Sequence, residues 1–408
     1  MTTMRATIDP RLHDAVIFLV RQSDSLTALA HKLREAGVET ALPDLADTDA
    51  AGLREAARTL GARAERSVVV AGQPDAITAA RDGGISLVIG VGSADDAEDL
   101  LERGADEVID DLADVEVRTG DRRMSEIPNA VESYPAVAAI IRGHRPAVCL
   151  DYDGTLSAIV ADPEAAQLVD GAAQTLALLA QRCPVAILSG RDLADIRDRV
   201  GLPGLWYAGS HGFESVAPDG SYRQNDEAVE AVPILARAAA ELSEKLAHIT
   251  GSRVEPKRFA VAVHYRDVAA DDVGEVVASA HRVGRREHLR VTNGRRLVEL
   301  RPDVDWNKGT TLRWICDQIS GAAGPATAGS GAAGPATAGS DSESVMPIYI
   351  GDDLTDEDAF DAVKTDGVGI LVRHTEDGDR RSAARFTLTD PDQVREFLGL
   401  LTDDLSQT

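Results

Sequence analysis

Two aspartates one residue apart, Asp151 and Asp153, close the apolar run Ala147 to Leu150 in the stretch Cys149-Leu150-Asp151-Tyr152-Asp153-Gly154-Thr155-Leu156-Ser157. Carboxylates held in this way can attack, exchange a proton or bind a hard metal ion. Three more stretches carry groups that suit them. Ser189-Gly190-Arg191 puts a hydroxyl and a cation after the apolar run Pro184 to Leu188. Lys308 stands in Trp306-Asn307-Lys308-Gly309-Thr310, ahead of the amphipathic stretch Thr311 to Ile319. Ile348-Tyr349-Ile350 runs into the acidic phrase Gly351-Asp352-Asp353-Leu354-Thr355-Asp356. A buried strand of a parallel sheet reads as a continuous apolar run, and in open α/β sheets ligands sit beyond the carboxyl ends of such strands. Gly154 permits the sharp turn that leaves the first strand, and Thr155 can hydrogen-bond near it. Taken alone, the first stretch also reads as a solvated Asp-Gly turn. The other three stretches weigh against that.

The composition narrows the partners. The 408 residues suffice for two or three domains, each with its own core. Lys and Arg total 42 against 68 Asp and Glu, a formal net charge of -26, which argues against nucleic acid or an anionic membrane as partner. An anionic substrate therefore needs local cations or a metal. No apolar run reaches the length of a membrane span and the amino terminus lacks a signal-peptide pattern, so a cytoplasmic protein is expected. Cys149, Cys183 and Cys316 lie within or beside apolar runs without metal-ligand spacing and read as buried free thiols. No glycine-rich phosphate loop of the nucleotide-triphosphatase kind is present.

The four strand ends, in this order, resemble the phosphatases of the haloacid dehalogenase superfamily. The phrase Leu150 to Ser157 with Pro163-Glu164, Gly209-Ser210-His211-Gly212-Phe213-Glu214, Glu255-Pro256-Lys257, His264-Tyr265-Arg266 and Val298-Glu299-Leu300-Arg301-Pro302 is similar to trehalose-6-phosphate phosphatases, over roughly residues 130 to 400. The additional amino-terminal domain is similar to that of the longer actinobacterial members. The resemblance implies an α/β fold with a haloacid dehalogenase-like Rossmannoid core, a parallel sheet and an inserted α+β cap. It also implies hydrolysis of trehalose 6-phosphate to trehalose and phosphate, the last step of trehalose biosynthesis.

On that resemblance Asp151 is the nucleophile that forms an aspartyl-phosphate, Asp153 the general acid and base, and Ser189 and Lys308 bind the transferring phosphoryl group. Asp151, the backbone carbonyl of Asp153 and Asp352 would hold Mg2+, with Asp353 and Asp356 orienting metal waters or Lys308. Gly154, Thr155, Arg191, His211, Glu214, Lys257, Arg295 and Glu299 are candidate substrate contacts. For several a plainer role competes: a structural ion pair for Arg191 and for Glu299 beside Arg301, and a local backbone cap for His211. A phosphatase for another sugar or polyol phosphate, or a sugar-phosphate binding protein without turnover, would share much of this pattern. The sequence assigns no oligomeric state.

The chain divides in this reading into an amino-terminal α/β domain at 1–120, a linker and helix at 121–145, a core at 146–208 and 303–408, and a cap at 209–302. The first domain resembles a haloacid dehalogenase core whose chemistry is missing. Arg21-Gln22 follow the strand that ends at Val20, and Ala71-Gly72-Gln73 follow Val70. A helix from Leu168 to Arg182 is expected after the nucleophile strand. Asn293-Gly294 marks a hairpin in the cap. GAAGPATAGS repeats residue for residue across 321–340, a composition that cannot pack a core and is expected to form a flexible loop.

Overall fold

The computed structural model describes residues 5–43, 49–160, 163–294, 296–321, 345–375 and 378–407. Apart from Gly321, the tandem repeat lies outside the described residues, as does Arg295. Two compact units are formed, one from Met1–Gly120 with Pro233–Asp303 and the other from Asp121–Val232 with Val304–Thr408. Among the described residues no helix is long and apolar enough to cross a membrane, and the three cysteines are free and buried.

The second unit is built on an eight-stranded sheet. Its order is Tyr222–Gln224, Glu214–Val216, Trp206–Gly209, Val185–Leu188, Arg145–Leu150, Val345–Gly351, Val368–Val372 and Phe386–Leu388. All neighbours from Trp206–Gly209 onward are parallel, and the first two strands are antiparallel additions at one edge. The central runs are apolar throughout because helices cover both faces and strand side chains alternate between them. Val148, Leu150, Ile187, Ile348 and Ile350 pack with Leu176, Ile196 and Phe397 on one face. Cys149, Leu188 and Tyr349 pack with Leu312, Ile315 and Phe360 on the other.

The order of strands reverses at Arg145–Leu150. The next strand in the chain, Val185–Leu188, lies on one side of it and Val345–Gly351 on the other. Such a reversal opens a crevice at the carboxyl ends, where open α/β sheets bind their ligands.

Two expectations need correction here. Glu214–Val216 and Tyr222–Gln224 pair into this sheet, so the stretch from Gly209 to Gln224 is part of the core rather than the start of the insertion. The helix expected from Leu168 spans only Ala172–Leu179, because Gly171 adopts φ 83° and breaks the turn before it.

In the first unit, residues before 120 form a five-stranded parallel sheet in the order Glu39–Ala41, Ala15–Leu19, Ser67–Ala71, Leu87–Val91 and Glu107–Ile109. Helices Asp24–Glu35, Ala50–Thr59, Pro74–Asp82 and Ala97–Arg103 alternate with the strands. Two apolar clusters fill its two faces. The later segment contributes an antiparallel sheet in the order Arg253–Pro256, Val261–His264, Leu297–Pro302 and Leu289–Gly294, with helices Val232–Leu246 and Val273–Arg286. Asn293-Gly294 sits in its last hairpin, as expected from the sequence.

The helix Val273–Arg286 is buried on two sides. Val276, Val277, Ala280 and Val283 pack on the antiparallel sheet. Its other side meets the amino-terminal domain. A Cβ on Gly84 would lie 3.2 Å from the Cα of Gly274, and a Cβ on Gly274 would lie 2.5 Å from the carbonyl of Asp82. Arg81, 2 % exposed, donates to the carbonyls of Gly104 (2.9 Å) and Ile85 (3.0 Å), pairs with Asp106 and reaches Nδ1 of His281 at 3.4 Å. Arg285 donates to the same Gly104 carbonyl at 3.0 Å. Small residues permit this close helix approach, and Arg81 and Asp106 carry most of its polar bonds.

Candidate active site

Register places the reactive groups side by side. Ile350 and Ile187 both pair with Leu150, so Asp151 leaves the central strand level with Leu188 and Gly351, one residue before Ser189 and Asp352 leave the adjacent strands. The amide of Asp151 donates to the carbonyl of Ile350 at 2.9 Å, which pins the first exit to the second. Gly154 has φ 78°, and a Cβ there would overlap the carboxylate of Asp352. Only glycine lets these two loops meet.

Lys308 opens the helix Lys308–Ile319, whose amino end is capped by the side chain of Asn307 accepting from the amide of Thr310. Its ammonium reaches Oδ1 of Asp151 at 3.0 Å and Oδ1 of Asp356 at 2.6 Å, with all three side chains buried. Asp356 also accepts from the Tyr349 hydroxyl at 2.6 Å and from the amides of Asp352 and Asp353, both at 2.9 Å. Four donors occupy its oxygens. Asp356 is thus a fixed counter-charge that positions Lys308.

Asp151, Asp352 and Asp356 each offer an oxygen, all within 4.8 Å of one another. Burial pushes the Asp151 carboxyl well up, Lys308 pulls it down, and the neighbouring acids push it up again. Burial also disfavours charge on Lys308, but Asp151 and Asp356 outweigh it and hold the ammonium above the ordinary lysine range. Three buried carboxylates share one ammonium, so full ionisation of all three is disfavoured unless a divalent cation offsets their charge. With Asp356 saturated by protein donors, Asp151 and Asp352 are the carboxylates that fit a hard cation.

Asp153 is partly exposed and accepts a fork from Arg191, Nε to Oδ2 at 2.7 Å and Nη2 to Oδ1 at 2.8 Å. Arg191 continues to Asp195 at 2.9 Å, and Asp195 to Arg199 at 2.7 Å. The ion-pair reading of Arg191 is therefore realised, with Asp153 as its partner. Ser189 is buried, and its hydroxyl accepts from the Arg191 amide at 3.1 Å. Thr155 is fully buried beside the turn.

Ser210 and His211 have φ 51° and 57°, a left-handed pair unusual for side-chain-bearing residues. Backbone bonds from Ser210 to Arg191 (2.7 Å) and from His211 to Ser189 (2.9 Å) hold that conformation. A Cβ on Gly190 would lie 2.9 Å from the His211 ring, so His211 packs on the Ser189-Gly190-Arg191 exit. Glu214, by contrast, faces the start of the helix Leu193–Val200. Its carboxylate lies 3.5 Å from the Leu193 amide and accepts from the Tyr222 hydroxyl at 3.1 Å, which gives it a structural role in the core.

On the antiparallel sheet of the first unit, Glu299 is buried between Lys257 (3.7 Å) and Arg301 (3.6 Å). Strand alternation puts Glu299 and Arg301 on the face opposite the apolar Val298 and Leu300. His264 and Glu255 pair at 2.8 Å from neighbouring strands. Asp353 caps the short turn Leu354–Asp356.

Three groups escape a reading of the sequence. Tyr349 lies inside an apolar run and reads as core, yet its hydroxyl bonds to Asp356. Arg380 is buried and bonds to Glu357 (2.5 Å) and to the carbonyl of Asp352 (3.3 Å). His374 lies 3.2 Å from the carboxylate of Asp352. The only signal for His374 is its place two residues after the apolar run Val368–Val372.

The model of the trehalose-phosphatase family matches residues 149–392. A trehalose-phosphate phosphatase of Mycobacterium marinum is 50% identical over 407 residues, covering 99% of both chains. One of Mycobacterium avium is 52% identical over 405 residues, covering 98% of this chain and 97% of the relative. Among solved structures, the trehalose-6-phosphate phosphatase C-terminal domain of C. albicans aligns with a TM-score of 0.51 and 23% identity, over 68% of this chain and 98% of that one. That likeness bears on the fold alone. With strand ends, register and relatives in agreement, the chain belongs to the trehalose-phosphatase family.

Proposed function

We propose that this enzyme hydrolyses trehalose 6-phosphate in two steps through an aspartyl-phosphate on Asp151, with Mg2+ as cofactor. The observation that carries the reading is the buried Asp151 carboxylate between Lys308 and Asp352, at the point where the sheet reverses its strand order. Magnesium would be held by Asp151, the Asp153 carbonyl and Asp352, and its chemistry is to neutralise phosphoryl oxygens so that an anionic nucleophile can approach.

An Asp151 oxygen attacks phosphorus, and the bond from phosphorus to the sugar oxygen breaks. Lys308 and the Ser189 hydroxyl bind the transferring oxygens, and Lys308 lowers the cost of charge on Asp151. Asp153 gives its proton to the departing sugar oxygen. It then takes a proton from water, whose oxygen attacks phosphorus and releases Asp151 and inorganic phosphate. Because Arg191 grips Asp153 from both oxygens, that fork must loosen for Asp153 to reach the leaving oxygen. On this reading Lys257 and Glu299 select the sugar, whose hydroxyls need paired donors and acceptors.

The test is magnesium-dependent phosphate release from trehalose 6-phosphate, glucose 6-phosphate and sucrose 6-phosphate by wild type and Asp151→Asn. A strong preference for the first ester, lost in the variant, is the expected result. Equal rates on all three would sink the substrate assignment and leave the chemistry standing.

A further inference from the structure

The chain leaves the strand Val368–Val372 as Arg373-His374-Thr375, next to the acidic strand end, since Gly351 pairs with Leu371. His374 is partly buried, with 17% of its side chain exposed. Its Nε2 lies 3.1 Å from the carbonyl of Gly154 and 3.2 Å from Oδ2 of Asp352. A carbonyl can only accept, so Nε2 carries the hydrogen and donates it to Gly154, with the Asp352 oxygen at charge-pair distance from the same nitrogen. One imidazole thus ties the nucleophile loop to the acidic strand end, at the place where Gly154 already permits the closest approach of backbone to carboxylate.

The same returning segment holds Asp352 a second time. Arg380 donates to the Asp352 carbonyl at 3.3 Å and pairs with Glu357, whose other oxygen accepts from the amide of Ala383 at 2.9 Å. Arg380 and Glu357 are both buried. Asp352 is therefore fixed through its backbone by Arg380 and through its carboxylate by His374.

We infer that His374 is a positioning residue for the metal: its Nε2–H sets the rotation of the Asp352 carboxylate relative to Asp151. The inference rests on the magnesium reading above. Hydrogen bonds to a metal-ligating carboxylate raise metal affinity by fixing its orientation, and their loss costs roughly 10–100-fold in affinity or activity. Nothing in this role requires His374 to touch the substrate.

The experiment is calorimetric titration of MgCl2 into full-length metal-free protein, with magnesium-dependent phosphate release measured alongside. His374→Leu removes the donor and keeps bulk, His374→Asn is too short to reach Asp352, and His374→Gln retains an N–H. We expect roughly tenfold or weaker Mg2+ binding in the first two variants and partial recovery in the third. At saturating magnesium, kcat should return toward wild type with KM for the sugar phosphate unchanged.

Asp352→Asn separates the two ways of failing. If Asp352→Asn abolishes the wild-type binding heat while His374→Leu and His374→Asn keep wild-type affinity, the His374 inference falls and the magnesium site stands. If wild type itself binds no magnesium, both fall together.

Discussion

The molecule contains two mainly parallel sheets, and the exits of their central strands differ in residue type. In the amino-terminal sheet the strand Ala15–Leu19 is followed by Val20-Arg21-Gln22, and Ser67–Ala71 by Gly72-Gln73. In the core sheet the corresponding exits are Asp151, Ser189-Gly190-Arg191 and Asp352. Both sheets bury their apolar strands equally well. On the mechanism proposed above, a parallel sheet supplies the crevice, and the reaction depends on a handful of side chains at the exits and on the buried lysine that makes their proximity tolerable.

The sharpest way to break this comparison is to remove the chemistry from the active sheet alone. Asp151→Asn should lower phosphate release by at least roughly 10^4-fold while thermal unfolding stays cooperative. Lys308→Met should be nearly as damaging to turnover and should also destabilise the core by about 3–5 kcal/mol in urea unfolding, because Asp151 and Asp356 lose their counter-charge. A Lys308→Met variant as stable as wild type would show that the acids are neutral in the resting protein.

Acid should separate the sheets by stability. His13 is buried at the start of the amino-terminal sheet, and burial pushes its imidazole down to about 4, with Asp9 and Asp14 only partly opposing. A group with a depressed folded value contributes stability that is complete above its unfolded value of 6.5 and lost as pH falls toward about 4. The loss across that window is about 3 kcal/mol in the first unit. His13→Gln should flatten the pH dependence of its unfolding midpoint between pH 7 and pH 4. An unchanged slope would exclude His13 as the source.

Gly274→Val tests the joint between that sheet and the helix Val273–Arg286. The new side chain meets the carbonyl of Asp82 and should cost about 1–3 kcal/mol by thermal unfolding. The smallest effect is expected from the converse graft. Arg21→Asp with Gln73→Asp in the Asp151→Asn background should restore no phosphate release, since among the described residues no buried lysine faces those positions as Lys308 faces Asp151. Recovery of turnover would mean that the crevice alone suffices.

Much of the active sheet was legible in the sequence for a physical reason. A strand buried on both faces must be apolar, so the first polar residue after it marks the exit, and Asp151, Ser189 and Asp352 all stand there. Lys308 was legible through the amphipathic helix it opens. What stayed hidden depends on strand order. His374 becomes a neighbour of Asp352 only because Val368–Val372 lies beside Val345–Gly351. That Glu214–Val216 joins the core sheet was hidden as well, because so short a strand gives no sign of its pairing. The joint between Arg81 and His281 was equally invisible, being carried by single glycines and one buried arginine rather than by a periodic apolar pattern.

That joint also has a timetable. Arg81 and His281 are 200 residues apart in the chain, and the core strand that carries Asp151 is made between them. At a synthesis rate of about 5–20 residues per second, the amino-terminal sheet waits on the order of 10–40 s for the helix that covers it. During that interval the backbone around Gly84 and Gly104 stands open beside a nascent, unfinished core. Close glycine packing exists only once the helix Val273–Arg286 has docked, so the joint is among the last parts of its unit to be completed during synthesis.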